Sequence, residues 1–309
     1  CLSAGIKPII GAEVFVDDDT QIVTLLASDQ TGYRHLTQLV SVGYTDGKVL
    51  GKPIVPREAI FAKQAGVIAL LTEKSAVGHA MLAGNETRAD SLLAQWQAAF
   101  GDRVYLAIKR TQRPHEDVFI EQALRMGAAF DVPIIAHNDV RFLSAEDFEA
   151  HEARVCIANS HVLADPNRPR DYSPEQYLKT QAQMAQLFDD MPAVIDNTLD
   201  LAKRCNVTLS LGKPDLPVFP VPEGETIETF FRQTAQQGLE ARLDKLYPTD
   251  QRGDDWAAVR KPYDERLDFE INTILQMGFP GYFLIVMDFI RWAKANDVPV
   301  GPGRPPGSG

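Results

Sequence analysis

Short β-rich runs alternate with longer helical segments in the N-terminal part of this chain, and this alternation constrains its fold more than any other feature. The β-rich runs cover 67–71, 104–108 and 133–136, and the segments 87–100 and 116–130 repeat apolar residues at helical spacing. Strands and helices that alternate in this way favour an α/β architecture with a largely parallel sheet or barrel.

Two further β-rich runs, 9–16 and 21–27, flank three consecutive aspartates at 17–19. Aspartate is common in turns because its side chain bonds to the backbone two residues further on. We therefore predict a β-hairpin, with the aspartates forming its turn rather than a metal site, and a helix after it at 32–42.

The segment that follows the last β-rich run is predicted to be mostly helical. After Arg141 the pattern indicates a helix through Ile157. A second helix is predicted to start at Ser173, because serine can cap a helix and Pro174 fits the first helical position. Helices are then expected to run to about Arg204.

A proline-rich stretch marks the best candidate for a domain boundary, which we place near 213–224. Four prolines interrupt both helix and sheet there: Pro214, Pro217, Pro220 and Pro222. Beyond this boundary the apolar spacing predicts three helices, over 226–246, 263–277 and 282–295.

Charge and cysteine content exclude several classes of protein. The formal net charge of -11 argues against a self-sufficient nucleic-acid binder, because neutralising phosphates requires a local excess of lysine and arginine. Cys1, Cys156 and Cys205 are odd in number and widely spaced, which indicates neither a disulfide framework nor a zinc site and favours a reducing cytoplasm. The longest apolar stretch, 279–290, is too short to cross a membrane.

A glycine-containing loop near the end of the chain is a candidate phosphate site. Gly301 and Gly303 allow close approach of a backbone to an anion, and Arg304 supplies a rigid fork of donors. The alternative is a surface turn or tail, which the next residues favour because Pro305 and Pro306 remove two amide donors.

Five motifs in collinear order resemble the family of bacterial DNA polymerase III alpha subunits, and together they extend over nearly the whole chain. They are GIKPIIGAE at 5–13, HNDVRF at 137–142 with Asp147 and His151, RPRDYSPEQY at 168–177, AKRCNVT at 202–208, and the run from FPGYFLIV to GPGR at 279–304.

This resemblance implies a polymerase-and-histidinol-phosphatase (PHP) domain at 1–215, formed as an N-terminally truncated, distorted β/α barrel. It further implies the mainly helical start of a polymerase palm at 216–304, and it leaves 305–309 as a tail outside the family pattern. The implied activity of the full-length protein is DNA-templated addition of deoxynucleotides with Mg²⁺. The family's catalytic aspartates lie downstream of the glycine loop, so we expect no catalytic residue here and an inactive fragment.

The resemblance also implies a degenerate metal centre in the PHP domain. Glu13 and Asp139 match family metal-ligand carboxylates, but Arg141 stands where metal-binding relatives have a histidine. A guanidinium cannot ligate a metal, and its permanent charge repels one. Residues 109–111 likewise offer lysine, arginine and threonine where another histidine would be sought. We therefore interpret Glu13 and Asp139 as vestigial positions of a lost metal site. The alternative is that both still bind a metal ion.

Other candidate ligands have a simpler structural interpretation. His137 could be a ligand, but a single histidine after an apolar strand is more often a hydrogen-bonded structural residue. Asp147 and His151 are four residues apart and would share a helix face. Because three glutamates lie nearby, at 146, 149 and 152, a solvated acidic helix is the preferred interpretation.

Three functions remain as hypotheses. The first is a segment of a replicative DNA polymerase, whose partners would be DNA, deoxynucleoside triphosphates and the other replicase subunits. The second is a metal-dependent PHP phosphoesterase, which Arg141 and the palm-like segment speak against. The third, compatible with the first, is a non-catalytic module that docks a separate proofreading exonuclease subunit.

Overall fold

A computed structural model describes residues 1–46, 52–212 and 217–301, together with the backbone of 48–49. The chain divides into two compact units, Cys1–Leu209 and Ser210–Gly309. Several positions singled out above lie outside the described residues: Gly303, Arg304, Pro214 and the tail 305–309.

A mixed β-sheet forms the centre of the first unit. In the order β3-β4-β1-β2-β5-β6-β7, six strands make up the main sheet and β3 joins through β4. The strands are β1 (Gly11–Val16), β2 (Ile22–Ala27), β3 (Lys48–Val49), β4 (Lys52–Val55), β5 (Val67–Leu71), β6 (Val104–Ile108) and β7 (Ile134–Ala136). Because β2 is antiparallel to both of its neighbours while the β1–β4, β5–β6 and β6–β7 pairs are parallel, β1, β4, β5, β6 and β7 end at the same edge.

Helices follow most of these strands. They are α1 (Gln30–Thr45), α2 (Arg57–Ala62), α3 (Ala76–Leu82), α4 (Glu86–Phe100), α5 (Glu116–Phe130), α6 (Phe148–Ala158), α7 (Gln181–Leu187) and α8 (Pro192–Arg204). Side chains of Asp29, Ser75 and Asn85 cap the first turns of α1, α3 and α4 by accepting a backbone N–H, as is usual for these residue types.

Both faces of the sheet are covered, as the strand β6 shows. All five of its residues are buried. Its Val104, Leu106 and Ile108 join the larger core with α4 and α5, whereas Tyr105 and Ala107 join a smaller cluster that includes Leu201 of α8. Strands whose side chains are buried on both faces of the sheet are typical of α/β proteins.

Helix α8 covers the outer edge of the sheet with polar side chains. The Thr198 hydroxyl accepts the backbone N–H of Ala136 at 3.0 Å, and the Asn197 side-chain amide donates to the Ile134 carbonyl at 2.9 Å. These bonds satisfy backbone groups of β7 that a further strand would otherwise pair with.

Most predicted elements are confirmed. The hairpin is present, with Gly11–Val16 paired against Ile22–Ala27. Asp18 holds its turn by accepting bonds from the backbone and side chains of Thr20 and Gln21. The strands β5 and β6 and the helix α5 have the predicted bounds. Two short strands, β3 and β4, and the helices α2 and α3 were not predicted.

The predicted helix start at Ser173 is wrong. Residues 168–178 form no helix, and the next helix begins at Gln181 with Thr180 as its cap. The Ser173 hydroxyl donates instead to the carbonyl of Thr111, and its backbone N–H donates to the Gln176 side chain at 2.9 Å. Tertiary bonds have thus overridden a local capping signal.

The predicted helix from Arg141 to Ile157 begins later than expected. Residues 141–144 are not helical, because Phe142 forms a parallel bridge with Tyr177, and α6 starts at Phe148 after a short 3₁₀ turn.

The described part of the second unit contains three α-helices: α9 (Ile227–Leu246), α10 (Trp256–Gln276) and α11 (Pro280–Ala295). They pack around Phe231, Ile271 and Leu284. Helix α10 starts earlier than predicted and contains Pro262. Within the described part of the chain, no single helix is long and apolar enough to cross a membrane; only α10 and α11 taken together pass that test, as a pair bent by 116°.

Candidate functional site

Charged side chains converge where three parallel strands of the first unit end. Glu73 and Lys74 follow β5, Lys109 follows β6, and Asp139 and Arg141 follow β7. Because these strands end at one edge of the sheet, side chains that are far apart in sequence meet there. We call these five residues the ionic cluster.

The Asp139 carboxylate is the centre of the ionic cluster. Its Oδ2 atom lies 3.3 Å from Nζ of Lys109 and 3.7 Å from Nζ of Lys74, while its Oδ1 atom pairs with the guanidinium of Arg141. The side-chain amide of Gln176 also donates to Oδ2, at 3.1 Å. Asp139 has a positive φ of 43°, a conformation that non-glycine residues adopt rarely and that functional sites often retain.

The cations determine the charge state of Asp139. Its side chain is 13% exposed, and this burial by itself would raise the pKa of the carboxyl. The positive charges of Lys109, Lys74 and Arg141 outweigh the burial and hold the pKa of Asp139 below its usual value. The carboxylate is therefore ionised at neutral pH.

Lys109 joins two carboxylates. Its Nζ atom lies 2.7 Å from Oε1 of Glu73 in addition to its contact with Asp139, and its side chain is only 9% exposed. Burial alone would lower the pKa of Lys109, but the negative charges of Glu73 and Asp139 outweigh it and raise the pKa. The ammonium group thus stays charged in a largely buried position.

The residues present do not fit a metal cluster of the PHP type. Both oxygens of Asp139 already contact side-chain cations, and Arg141 and Lys109 would repel a divalent ion. Glu13 lies within β1 opposite Thr24 of β2. Within the described ranges, no group of three or more His, Cys, Asp or Glu side chains could hold a metal ion.

A pocket of about 500 Å³ lies beside the ionic cluster. It is bordered by all five cluster residues and also by Arg113, His115, Glu116, Asp171, Tyr172 and Gln176. Its charged lining therefore combines both signs, which differs from the acidic lining of a metal site.

His137 is a partly buried residue directly after β7. Its backbone N–H donates to the Ile108 carbonyl at 2.9 Å, and its Nε2 atom is buried without a hydrogen-bond partner among the described residues. Burial, assisted by the positive charge of Lys109, lowers the pKa of His137 to about 4. The ring is therefore neutral at pH 7.

Asp147 and His151 are not brought together as a ligand pair. Asp147 accepts bonds from the backbone N–H and hydroxyl of Ser144 and so closes the turn before α6. His151 packs edge-on against Tyr172, with ring centroids 4.7 Å apart, and also contacts Phe142.

The predicted solvated acidic helix is wrong for one of its glutamates. Glu152 is 4% exposed and forms an ion pair with Arg168. Arg168 belongs to the RPRDYSPEQY motif, so its partner lies in a segment that follows α6 in sequence.

Three residues at this site were not predicted from the sequence: Glu73, Lys74 and Gln176. For the first two a signal was available, because charged residues directly after a buried strand lie at the edge where parallel strands end. Gln176 carried no such signal, since its contact depends on a long-range return of the chain. Of the predicted phosphate loop, Gly301 is described and is exposed.

Comparisons with known proteins define the class of each part. Residues 1–111 match the PHP domain family, and residues 229–309 match the family described as the bacterial DNA polymerase III alpha NTPase domain. The second match includes residues 305–309, although the sequence motifs predicted that this tail lies outside the family pattern. The PHP match therefore lies within the first unit, and the polymerase match lies within the helical second unit.

Individual relatives agree with this class. The chain is 46% identical to the DNA polymerase III subunit alpha of Pseudomonas aeruginosa over all of its length. It is 45% identical to the corresponding subunit of Haemophilus influenzae over all of its length and 44% identical to that of Escherichia coli K12 over 99%. The chain belongs to the family of bacterial DNA polymerase III alpha subunits, and it spans 27% of the length of these relatives.

Proposed function

We propose that this chain is the PHP-containing segment of a DNA polymerase that adds deoxynucleotides to a primer on a DNA template. The family matches of both units support this proposal. Mg²⁺ would serve the polymerase site of the whole protein, and DNA, deoxynucleoside triphosphates and other replicase subunits would be its partners. The compartment that suits this activity is the cytoplasm.

Within that protein, we propose that the PHP-type centre is a non-catalytic scaffold. One observation carries this proposal: the Asp139 carboxylate forms ion pairs with Lys74, Lys109 and Arg141. Glu13 and Asp139 are then vestigial positions of a metal centre. A scaffold that has lost its own chemistry suits the docking of a proofreading exonuclease subunit, which we propose as its partner.

Two assays on purified protein test these proposals. Primer extension with Mg²⁺ should be supported by the full-length polymerase and not by the 309-residue chain. Phosphodiester hydrolysis with Mn²⁺ or Zn²⁺, using bis-p-nitrophenyl phosphate, should be absent from both proteins. Metal-dependent hydrolysis by either would contradict the scaffold and favour the phosphoesterase. A full-length protein without primer extension would contradict the polymerase assignment.

The proposed phosphate loop has a separate test. Gly301, Gly303 and Arg304 would contact the triphosphate of an incoming nucleotide in the full-length polymerase. Arg304→Lys in that protein should then raise the KM for deoxynucleotides by about tenfold, because one bidentate contact is lost. An unchanged KM would remove the loop from the nucleotide site.

A further inference from the structure

The segment 168–178, which we call the strap, lies beside the ionic cluster without forming a helix or a strand of the sheet. It supplies Asp171, Tyr172 and Gln176 to the wall of the pocket. Its backbone meets the chain after β7 in a short parallel pairing. There Arg141 N–H donates to the Gln176 carbonyl at 2.8 Å, and Leu178 N–H donates to the Phe142 carbonyl at 3.0 Å.

Polar contacts hold the strap in place. The buried side chain of Asn138 donates to the carbonyls of Glu175 and Tyr177 at 3.0 and 2.7 Å. Gln176 donates to Asp139, both to its carbonyl at 3.2 Å and to its carboxylate at 3.1 Å.

Two further bonds attach the strap to the loop after β6. The Ser173 hydroxyl donates to the Thr111 carbonyl, and the Arg113 guanidinium donates to the Arg170 carbonyl. The strap therefore bridges the loops that follow β6 and β7, the two strands whose ends hold Lys109 and Asp139.

The strap has no apolar core of its own. Only Ser173 and Gln176 are buried among its residues, at 7% and 1% exposure, and both are polar. No apolar residue between 157 and 187 is buried, whereas the strand β6 beside the strap is buried throughout. Segments with few buried apolar contacts open at a lower free energy than the core.

We propose that the strap is a polar latch that opens as a local unit while the sheet remains folded. Its opening exposes the nearly buried side chain of Lys109 to solvent and small solutes. Gln176 is the positioning residue of this latch, because it joins the strap to the carboxylate at the centre of the ionic cluster. This inference does not depend on which reaction the whole polymerase performs.

Hydrogen exchange of the unmodified 309-residue chain gives the first test. The amides of Arg141 and Leu178 should exchange through an opening that depends little on urea. The amide of Leu106, which donates to the Pro133 carbonyl, should exchange through an opening with a strong urea dependence. If all three amides share one free energy and one urea dependence, the strap does not open locally and the proposal is overturned.

A variant pair gives the second test. Gln176→Leu removes the two bonds to Asp139 and the bond from the Ser173 N–H, so exchange of the Arg141 and Leu178 amides should accelerate by about tenfold. Exchange of the Leu106 amide should accelerate by a similar factor, because global unfolding loses the same bonds. Gln97→Leu is the matched control, because Gln97 also donates to a backbone carbonyl, that of Phe130, but lies away from the strap. The proposal would be overturned if exchange of the Arg141 and Leu178 amides were unchanged in Gln176→Leu, or if these amides accelerated equally in Gln97→Leu.

Chemical labelling tests access to the pocket. Acylation of Lys109, followed by mass spectrometry, should become faster in Gln176→Leu by the same factor as the strap amides and should stay at the wild-type rate in Gln97→Leu. Faster exchange without faster labelling of Lys109 would show that the strap does not control access to the ionic cluster.

Discussion

Lys109 is the most deeply buried cation of the ionic cluster, and its charge is shared between Glu73 and Asp139. Replacement by methionine, which has a similar shape and no charge, would leave both carboxylates less compensated in a largely buried position. We expect Lys109→Met to lower the free energy of unfolding of the first unit by about 3 kcal/mol. Urea denaturation followed by circular dichroism measures this change.

An exposed lysine provides the control for that substitution. Lys52 pairs with Asp19 at 3.0 Å, but both side chains are about half exposed. Lys52→Met should therefore cost about 0–1 kcal/mol. Equal and small effects of the two substitutions would contradict the role given to Lys109.

The lowered pKa of His137 should make the unfolding free energy of the protein depend on pH. Its pKa is about 4 in the folded protein, against an ordinary value of 6.5, because the ring is buried beside Lys109. The unfolded chain binds this proton more readily, so stability should fall as the pH decreases from 6.5 towards 4, by up to about 1.4 kcal/mol per pH unit. The lowered pKa of Asp139 acts in the same direction, but only below about pH 4.

The variant His137→Gln isolates this effect, since glutamine does not titrate. Its unfolding free energy should decline less steeply than that of the wild type between pH 6.5 and 4. Above pH 7 the two stability curves should run parallel, which serves as the internal control. Identical slopes in the acidic range would show that His137 is not held neutral by burial.

At the scale of elements, the edge strand β7 depends on helix α8. Thr198→Val would keep the shape of the side chain and leave the buried N–H of Ala136 without its acceptor. We expect a loss of about 1–3 kcal/mol in the unfolding free energy of the first unit. Urea denaturation measures it.

Thr37→Val on α1 is the matched control. The Thr37 hydroxyl bonds only to the carbonyl of Arg34 in its own helix and is exposed, so water can replace that bond. A change within about 0.5 kcal/mol is expected for it. If Thr198→Val were equally mild, the edge of β7 would not need α8 for its hydrogen bonding.

Local sequence patterns were sufficient to predict some of the strands and helices. The strands β5 and β6 and the helix α5 have strong apolar patterns whose buried positions match their geometry, and their bounds were predictable. The segment 168–178 was not predictable in the same way. Its conformation depends on bonds that Thr111 and Asp139 accept and that Asn138 donates, which the local pattern of serine and proline does not encode.

At the scale of the whole molecule, the two units correspond to two different family matches. The collinear motifs identified the family and its domain order, because they depend on residue identity rather than on folding. The ionic cluster could be foreseen only in part. Arg141 and Lys109 indicated the loss of metal ligands, but only the folded sheet brings Lys74 and Glu73 to the same carboxylate.

We expect side-chain cations, rather than metal ions, to stabilise the centre of the first unit. The most direct test is the Tm of the 309-residue chain in EDTA and in excess Mn²⁺ or Zn²⁺. We predict the same Tm in all three conditions, within about 1 °C. A metal ion that binds the folded chain and is present at one hundred times its Kd would add about 2.7 kcal/mol and raise the Tm by several degrees. That result would show that the centre of the first unit binds metal.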